Sequence, residues 1–349
     1  MALPTYPVLS PDLYFPEMQE TEKAVQAALL RILQARDPSV KSLSYEKARR
    51  ARKRGQRLFE CRLHRSGLSG LKEDQRDRVM SLARSGAQIA GPLTVHQVDE
   101  WAATVHDRTP WLGDLTAYLM RHMRSRVATG RLGLSIPPLL LCGEAGSGKS
   151  WYANMVGEVA RAPFREIDVG GGSAGFRIAG LEKGWASAGA GIPVETVLAH
   201  RVANAVFVVN EVDKAGEKIG SNTGGVTSLT TSLLQLMEPE TAARFECPAH
   251  RVKFDLSQMN WILTANDLDN VPDPLQDRCH VVHMPKVTPS VAALMYDTLL
   301  RECDADVDAD TCSLAREAVI DAAGRGHVSL RQIRRILERL GAADPQILH

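Results

Sequence analysis

The sequence predicts an α/β fold, a parallel sheet with helices on both faces. Short apolar runs at 138–142, 164–169, 205–209, 261–266 and 280–284 are separated by segments of helical period, and strands that alternate with helices build a parallel sheet. The first run enters a glycine-rich loop that opens a helix at 151–159, the strand–loop–helix unit that holds anions at a helix N-terminus. At 349 residues the chain can bury a full core and form two or three domains.

Residues 1–18 contain Pro4, Tyr6, Pro7, Pro11, Tyr14, Phe15 and Pro16, a composition that opposes helix and predicts an extended arm. From Thr21, Val25, Leu29, Leu30, Ile32 and Leu33 recur at helical spacing up to the Asp37-Pro38 break. A basic run follows, Lys47, Arg49, Arg50, Arg52, Lys53, Arg54, Arg57, Arg62 and Arg65, with Glu60 the only acid in that span. It reads as the solvated face of a helix whose apolar side is Leu58, Phe59 and Leu63, or as a patch for nucleic acid or an acidic partner. A helix is predicted over 74–90. Gly91-Pro92-Leu93-Thr94 then breaks the pattern and closes a helical N-terminal domain, 1–97, expected to bind partners or substrates.

Residues 106–133 read as a helix leading into the core, with Leu115, Leu119, Met120 and Met123 as its apolar stripe. The loop Gly143-Glu144-Ala145-Gly146-Ser147-Gly148-Lys149-Ser150 fits the pattern Gly-x-x-x-x-Gly-Lys-Ser/Thr at every fixed position. Glycines let backbone N–H groups wrap a pyrophosphate closely. Lys149 then supplies charge to the β- and γ-phosphates, Ser150 ligates Mg²⁺, and Trp151 opens the helix aimed at the phosphates, so ATP and Mg²⁺ are the expected cofactors. The alternative is a chance glycine turn.

The strand at 164–169 ends in Gly170-Gly171-Gly172-Ser173. The strand at 205–209 is the most apolar and runs into Asn210-Glu211-Val212-Asp213-Lys214. In nucleotide hydrolases such a strand ends in paired acids, one serving the Mg²⁺ shell and the next the attacking water. Here the first is an amide. A Gly/Ser/Asn/Thr loop at 215–231 leads to a helix at 232–237, and the strand at 261–266 places Asn266 at the carboxyl edge of the sheet. Segments 290–302, 313–323 and 330–340 are helical and form a small lid. The implied division is a nucleotide-binding domain over 98–287 and a lid over 288–349.

Net charge is +1, so any nucleic-acid or membrane binding needs a local patch rather than a global field. The six cysteines are scattered without a Cys-x-x-Cys pair, which predicts reduced thiols and a cytoplasmic setting. Cys279, His280 and His283 are the one hint of a metal site, but alternate strand residues point apart. No leader-like N-terminus and no apolar run of membrane-spanning length is visible, so a soluble protein is expected.

From residue 106 to residue 340 the chain resembles the AAA+ ATPase module of the Lon protease family. Beyond the phosphate loop, the resemblance rests on Ser232-Leu233-Leu234-Gln235-Leu236-Met237-Glu238-Pro239-Glu240, on Phe254-Asp255-Leu256-Ser257 ahead of Thr264-Ala265-Asn266, and on Pro274-Leu275-Gln276-Asp277-Arg278, all in order. It implies that Glu211 polarises the attacking water, that Asn266 is the sensor 1 residue beside the γ-phosphate, and that Arg278 is an arginine finger reaching a neighbouring subunit. Activity would then need a ring, most simply a hexamer. The structural alternatives are a strand cap for Asn266 and a surface ion pair for Arg278. Trp185, within Gly180-Leu181-Glu182-Lys183-Gly184-Trp185-Ala186, stands where Lon-type modules carry an aromatic pore loop that grips a threaded chain; its alternative is an ordinary buried tryptophan.

Several features depart from the resemblance. The sequence given ends at His349 without the Ser-Lys peptidase domain, so peptide cleavage by this chain is not expected. The N-terminal part is unlike Lon's substrate-binding domain. Asn210 replaces the first acid and can reach Mg²⁺ only through water, which predicts weaker metal affinity and slower hydrolysis. Val328 stands at the sensor 2 arginine position, leaving Arg331 first and Arg325 second as substitutes. The expected function is an ATP-hydrolysing ring that remodels or unfolds a protein client. The alternatives are a hydrolysis-impaired, ATP-gated assembly scaffold and a nucleic-acid-dependent ATPase working through the basic run.

Overall fold

Five short strands rich in Val, Leu and Ile build the central sheet: β1 Leu139–Cys142, β2 Phe164–Asp168, β3 Val206–Asn210, β4 Asn260–Ala265 and β5 His280–His283. A computed structural model describes residues 3–169, 174–182, 189–214, 229–303, 308–326 and 328–342. Trp185, the run Gly170-Gly171-Gly172-Ser173, residues 215–228 of the Gly/Ser/Asn/Thr stretch expected as a loop, and His327 lie outside the described residues. All four strand pairings are parallel, in the order β5-β1-β4-β3-β2.

Alternate strand residues enter two separate cores, as period-two side chains require. Leu140, Ile167, Phe207, Val209, Trp261 and Leu263 face one side, and Leu139, Leu141, Val206, Val208 and Ile262 the other. The predicted parallel sheet with helices on both faces is therefore what the chain forms. On the second face lie α4 (Val95–Arg108), α5 (Gly113–Ala128) and α6 (Lys149–Val159), which contribute Val98, Trp101, Leu119, Met123, Tyr152 and Met155. The single helix expected over 106–133 is corrected to two. Pro110 lacks the N–H that a continuous helix would need, and Pro110–Leu112 forms a 3₁₀ turn between α4 and α5.

Residues 3–88 cover part of the first face. The arm is strapped down, because Thr5–Tyr6 pairs antiparallel with Ala87–Gln88 and because Val8, Leu9 and Phe15 are buried in the core under β3 and β4. The Tyr6 hydroxyl donates to Asp255 Oδ2 at 2.7 Å, and Asp255 N donates to Val8 O at 2.7 Å. The helix expected over 74–90 stops at Ser85 (α3, Glu73–Ser85), since Gly86 turns the chain at φ +67° into the Ala87–Gln88 strand. α1 (Met18–Arg36) and α2 (Tyr45–Arg65) form a hairpin in which Gly55 touches α1; a Cβ there would lie 2.7 Å from Glu22 Cα. Every basic side chain of the α2 run is exposed, and Phe59 and Leu63, but not the exposed Leu58, pack against the core.

Two buried amides lock the chain entering β1. Asn204 Oδ1 accepts from Ala90 N at 2.9 Å, while its Nδ2 donates to Ala90 O at 2.8 Å and Leu134 O at 3.0 Å. Asn260 Oδ1 accepts from Ile136 N at 2.9 Å. After α7 (Ala174–Ala179), α8 (Ile192–His200), α9 (Leu229–Met237), α10 (Pro239–Ala242) and α11 (Asp273–Arg278), the last three helices, α12 (Pro289–Glu302), α13 (Ala309–Gly324) and α14 (Leu330–Ala342), have their own core of Met295, Tyr296, Leu299, Val319, Ile333 and Leu337. No helix among the described residues is long and apolar enough to cross a membrane. All six cysteines are free.

Candidate nucleotide site

Parallel register brings the carboxyl ends of the strands to one edge: Ala265 lies beside Cys142, and Asn210 beside Asp168. The phosphate loop springs from β1 at this edge. Gly146 and Gly148 have φ of +86° and +98°, a left-handed conformation that disfavours any side chain. A Cβ on Gly148 would also meet Leu330 Cδ2 of α14 at 2.6 Å. Lys149 is the first residue of α6, and its side chain turns back into the loop. Its Nζ donates to Gly143 O at 2.6 Å, Glu144 O at 3.0 Å and Asn266 Oδ1 at 3.0 Å. Burial of this ammonium, in a residue only 8% exposed, pushes its pKa below the ordinary lysine value. Ser147 Oγ is buried in the same loop without a hydrogen-bond partner.

Next to Lys149, the Ser150 hydroxyl donates to Asn210 Oδ1 at 2.9 Å. The Asn210 amide is held at both ends, because Oδ1 also accepts from Thr264 Oγ1 at 3.3 Å and Nδ2 donates to Asp168 Oδ1 at 3.1 Å. Glu211 follows in a left-handed conformation, φ +61°, with its N–H on Thr264 Oγ1 at 3.2 Å. Non-glycine residues adopt that conformation only when their surroundings impose it. Its carboxylate pairs with Lys214 Nζ at 2.6 Å. Asp213 Oδ2 accepts from the backbone N–H of Asn266 at 3.1 Å and of Asp267 at 3.3 Å, fixing the β4 exit against the β3 exit.

Lys149, Ser150, Asn210, Glu211 and Asn266 line a cleft of about 810 Å³ whose far wall is α14, through Leu330, Arg331, Arg334, Arg335 and Glu338. Glu166, Asp168 and Thr264 complete the sheet side. Trp151 lines the cleft too and stacks on Trp111, with ring centroids 5.8 Å apart and planes 18° from parallel. The floor, the lysine and the arginine wall suit a polyanion.

Residues 139–285 match the family described as ATPase family associated with various cellular activities (AAA). The chain carries an AAA domain. Over 198 residues it is 31% identical to Lon protease of Magnetococcus marinus, covering 55% of this chain and 24% of that protein. Over 217 residues it is 26% identical to the peroxisomal Lon protease homolog 2 of Caenorhabditis elegans, covering 60% of this chain and 26% of that protein. The chain thus spans about a quarter of the length of these curated relatives. Among solved structures, a closed-state reconstruction of Hsp104 with ATPγS and FITC-casein superposes with a TM-score of 0.54 at 14% identity, covering 87% of this chain and 52% of that one, a likeness of fold.

Within the AAA domain, Gly146, Gly148, Lys149, Ser150, Trp151, Asn210, Glu211 and Asn266 converge on the cleft, and Arg331 faces them from α14. Gly143, Glu144 and Ser147 line an adjoining cavity of about 260 Å³, and Ala145 borders both. Arg278 stands apart, outside the cleft, with its guanidinium paired to Glu238. Arg325 pairs with Asp321 on α13 and does not line the cleft. Sequence reasoning missed Arg334 and Arg335, although their spacing from Arg331 puts all three on one helical face. It also missed Asp168, which ends its strand as Asn210 and Asn266 end or follow theirs.

The donors around Ser150 and Asn210 are all oxygens, the set that Mg²⁺ prefers. Among the described residues no three His, Cys, Asp or Glu side chains form a ready cage. Residues present thus fit a cation that arrives with phosphate oxygens and keeps water ligands, the usual Mg²⁺ arrangement.

Proposed function

We propose that this protein binds and hydrolyses ATP with Mg²⁺ and acts as a homo-oligomeric AAA+ ring, a hexamer by resemblance, that remodels a protein client. What carries this reading is the convergence of Lys149, Ser150, Glu211, Asn266 and Arg331 on one cleft between the sheet edge and α14. In it, Lys149 leaves the loop carbonyls for the phosphates, Asn266 orients the attacking water, and Glu211 takes that water's proton once Lys214 releases it. Mg²⁺, which Ser150 and, through water, Asn210 would hold, would supply positive charge against the phosphates. Arg278 serves a neighbouring subunit. Residues 98–287 act as the nucleotide-binding unit, 288–349 as the lid and 1–97 as the partner-binding part.

Lys149→Ala is expected to abolish ATP retention in equilibrium dialysis, and Glu211→Gln to retain ATP while losing turnover. Unchanged ATP affinity in Lys149→Ala would sink the site assignment. A second reading, an ATP-gated scaffold with little hydrolysis, is favoured by the uncharged Asn210 and by the Glu211–Lys214 pair. Robust steady-state turnover counts against it. The exposed basic face of α2 supports a third, nucleic-acid-dependent reading, which predicts salt-sensitive DNA or RNA binding at about one unit of log-log slope per phosphate contact.

A further inference from the structure

The strand-end position that usually carries the metal-facing acid is occupied by Asn210, yet the negative charge is not missing from the site. Asp168, the last residue of β2, lies in register beside Asn210 and accepts from its Nδ2 at 3.1 Å. The opposite end of the same amide, Oδ1, accepts from the Ser150 hydroxyl at 2.9 Å. The three side chains form one connected line, carboxylate to amide to hydroxyl, along the wall of the cleft. Both ends of the amide are held by unlike partners, so its orientation is fixed: the donor faces the carboxylate and the oxygen faces the hydroxyl. A hydrogen-bonded carboxylate makes the amide oxygen a better acceptor, because polarisation runs along such chains.

We propose that Asp168 is the relocated acid of this site: it supplies the negative charge that a cation at Ser150 requires, and it acts through Asn210 as a positioning residue. The proposal rests on the reading of the cleft as an ATP and Mg²⁺ site. It has a consequence opposite to the intuitive repair. Asn210→Asp does not restore a missing acid, because it sets a second carboxylate against Asp168 where a donor now stands, and two carboxylates at that separation resist joint ionisation. The acid and the amide are a matched pair. Exchanging them together, Asp168→Asn with Asn210→Asp, keeps one charge and one donor in the same line.

The test is a Mg²⁺ titration of the full chain at fixed mant-ATP, reading the Mg²⁺ concentration at half-maximal nucleotide fluorescence, with the melting temperature of each nucleotide-free variant as a check on folding. Asp168→Asn is expected to raise the half-maximal Mg²⁺ about 10-fold or more, the usual effect of removing a residue that orients a metal ligand. The exchanged double variant should return to within about threefold of the original. An unchanged midpoint in a folded Asp168→Asn protein overturns the proposal, as does a loss that the exchange leaves uncorrected. Failure of the unaltered protein to bind mant-ATP at any Mg²⁺ concentration instead overturns the nucleotide reading beneath it.

Discussion

Asn204 offers the sharpest test of how the fold presents the phosphate loop. Its side chain is 2% exposed and makes three hydrogen bonds, to Ala90 N, Ala90 O and Leu134 O. Truncation to Ala orphans Ala90 N–H, since no other acceptor among the described residues reaches it, and a buried unpaired donor costs about 1–3 kcal/mol. The two carbonyls keep other partners, Leu134 N on Ala90 O at 2.8 Å and Asn260 Nδ2 on Leu134 O at 3.3 Å. Each lost bond there costs about 0.5–1 kcal/mol. Asn204→Ala should therefore destabilise the protein by about 2–5 kcal/mol, read as a fall in the urea midpoint at unchanged slope. Asn204→Asp keeps the acceptor for Ala90 N but loses the donor, and should be unstable as well because its carboxylate would face two carbonyls. A change below about 0.5 kcal/mol in Asn204→Ala, the ordinary surface value, refutes the reasoning.

Three further outcomes follow from the site and its surroundings. Gly148→Ala combines φ +98° with a 2.6 Å approach to Leu330 Cδ2, so it should weaken ATP binding at least 10-fold and loosen α12–α14, seen as faster amide exchange in that bundle. The pKa of His122 is lowered, first by burial and then by Arg126. As pH falls through about 6.5 the unfolded chain takes up this proton before the native one, so stability falls toward acid, and His122→Gln should flatten the pH dependence of the melting temperature below about 6.5. Arg278→Ala is expected to keep ATP binding and lose turnover; mixing it with Glu211→Gln subunits should restore part of the rate if Arg278 acts across a subunit boundary, and no recovery would exclude that role.

The phosphate loop was legible because its chemistry fixes glycines at set spacings, and the five strands because buried parallel strands are uninterrupted apolar runs. Asn266 and Asn210 were locatable as the polar residues just past such runs. Asp168 was not, because its importance lies in which strand neighbours β3, and pairing order is a tertiary fact that local pattern does not encode. The α4–α5 break was under-read for a related reason, since the apolar stripe continues across Pro110 although the helix does not. The basic run on α2 looked amphipathic, but only Phe59 and Leu63 of its three apolar residues reach the core. Leu58, although only three residues from Gly55, is left 42% exposed.

The stacked pair Trp111 and Trp151 joins pieces of chain that have different reasons to move. Trp151 follows the phosphate loop directly, Trp111 precedes α5, and both pack against the α12–α14 core, Trp111 against the sheet core as well. Two indoles at 5.8 Å and 18° couple their excited states, so their emission and near-ultraviolet circular dichroism depend steeply on mutual angle. The molecule thus contains an intrinsic optical gauge where the helix that follows the nucleotide loop meets the helical bundle. Ligand-driven rotation of one against the other can be timed in stopped flow without attaching a dye.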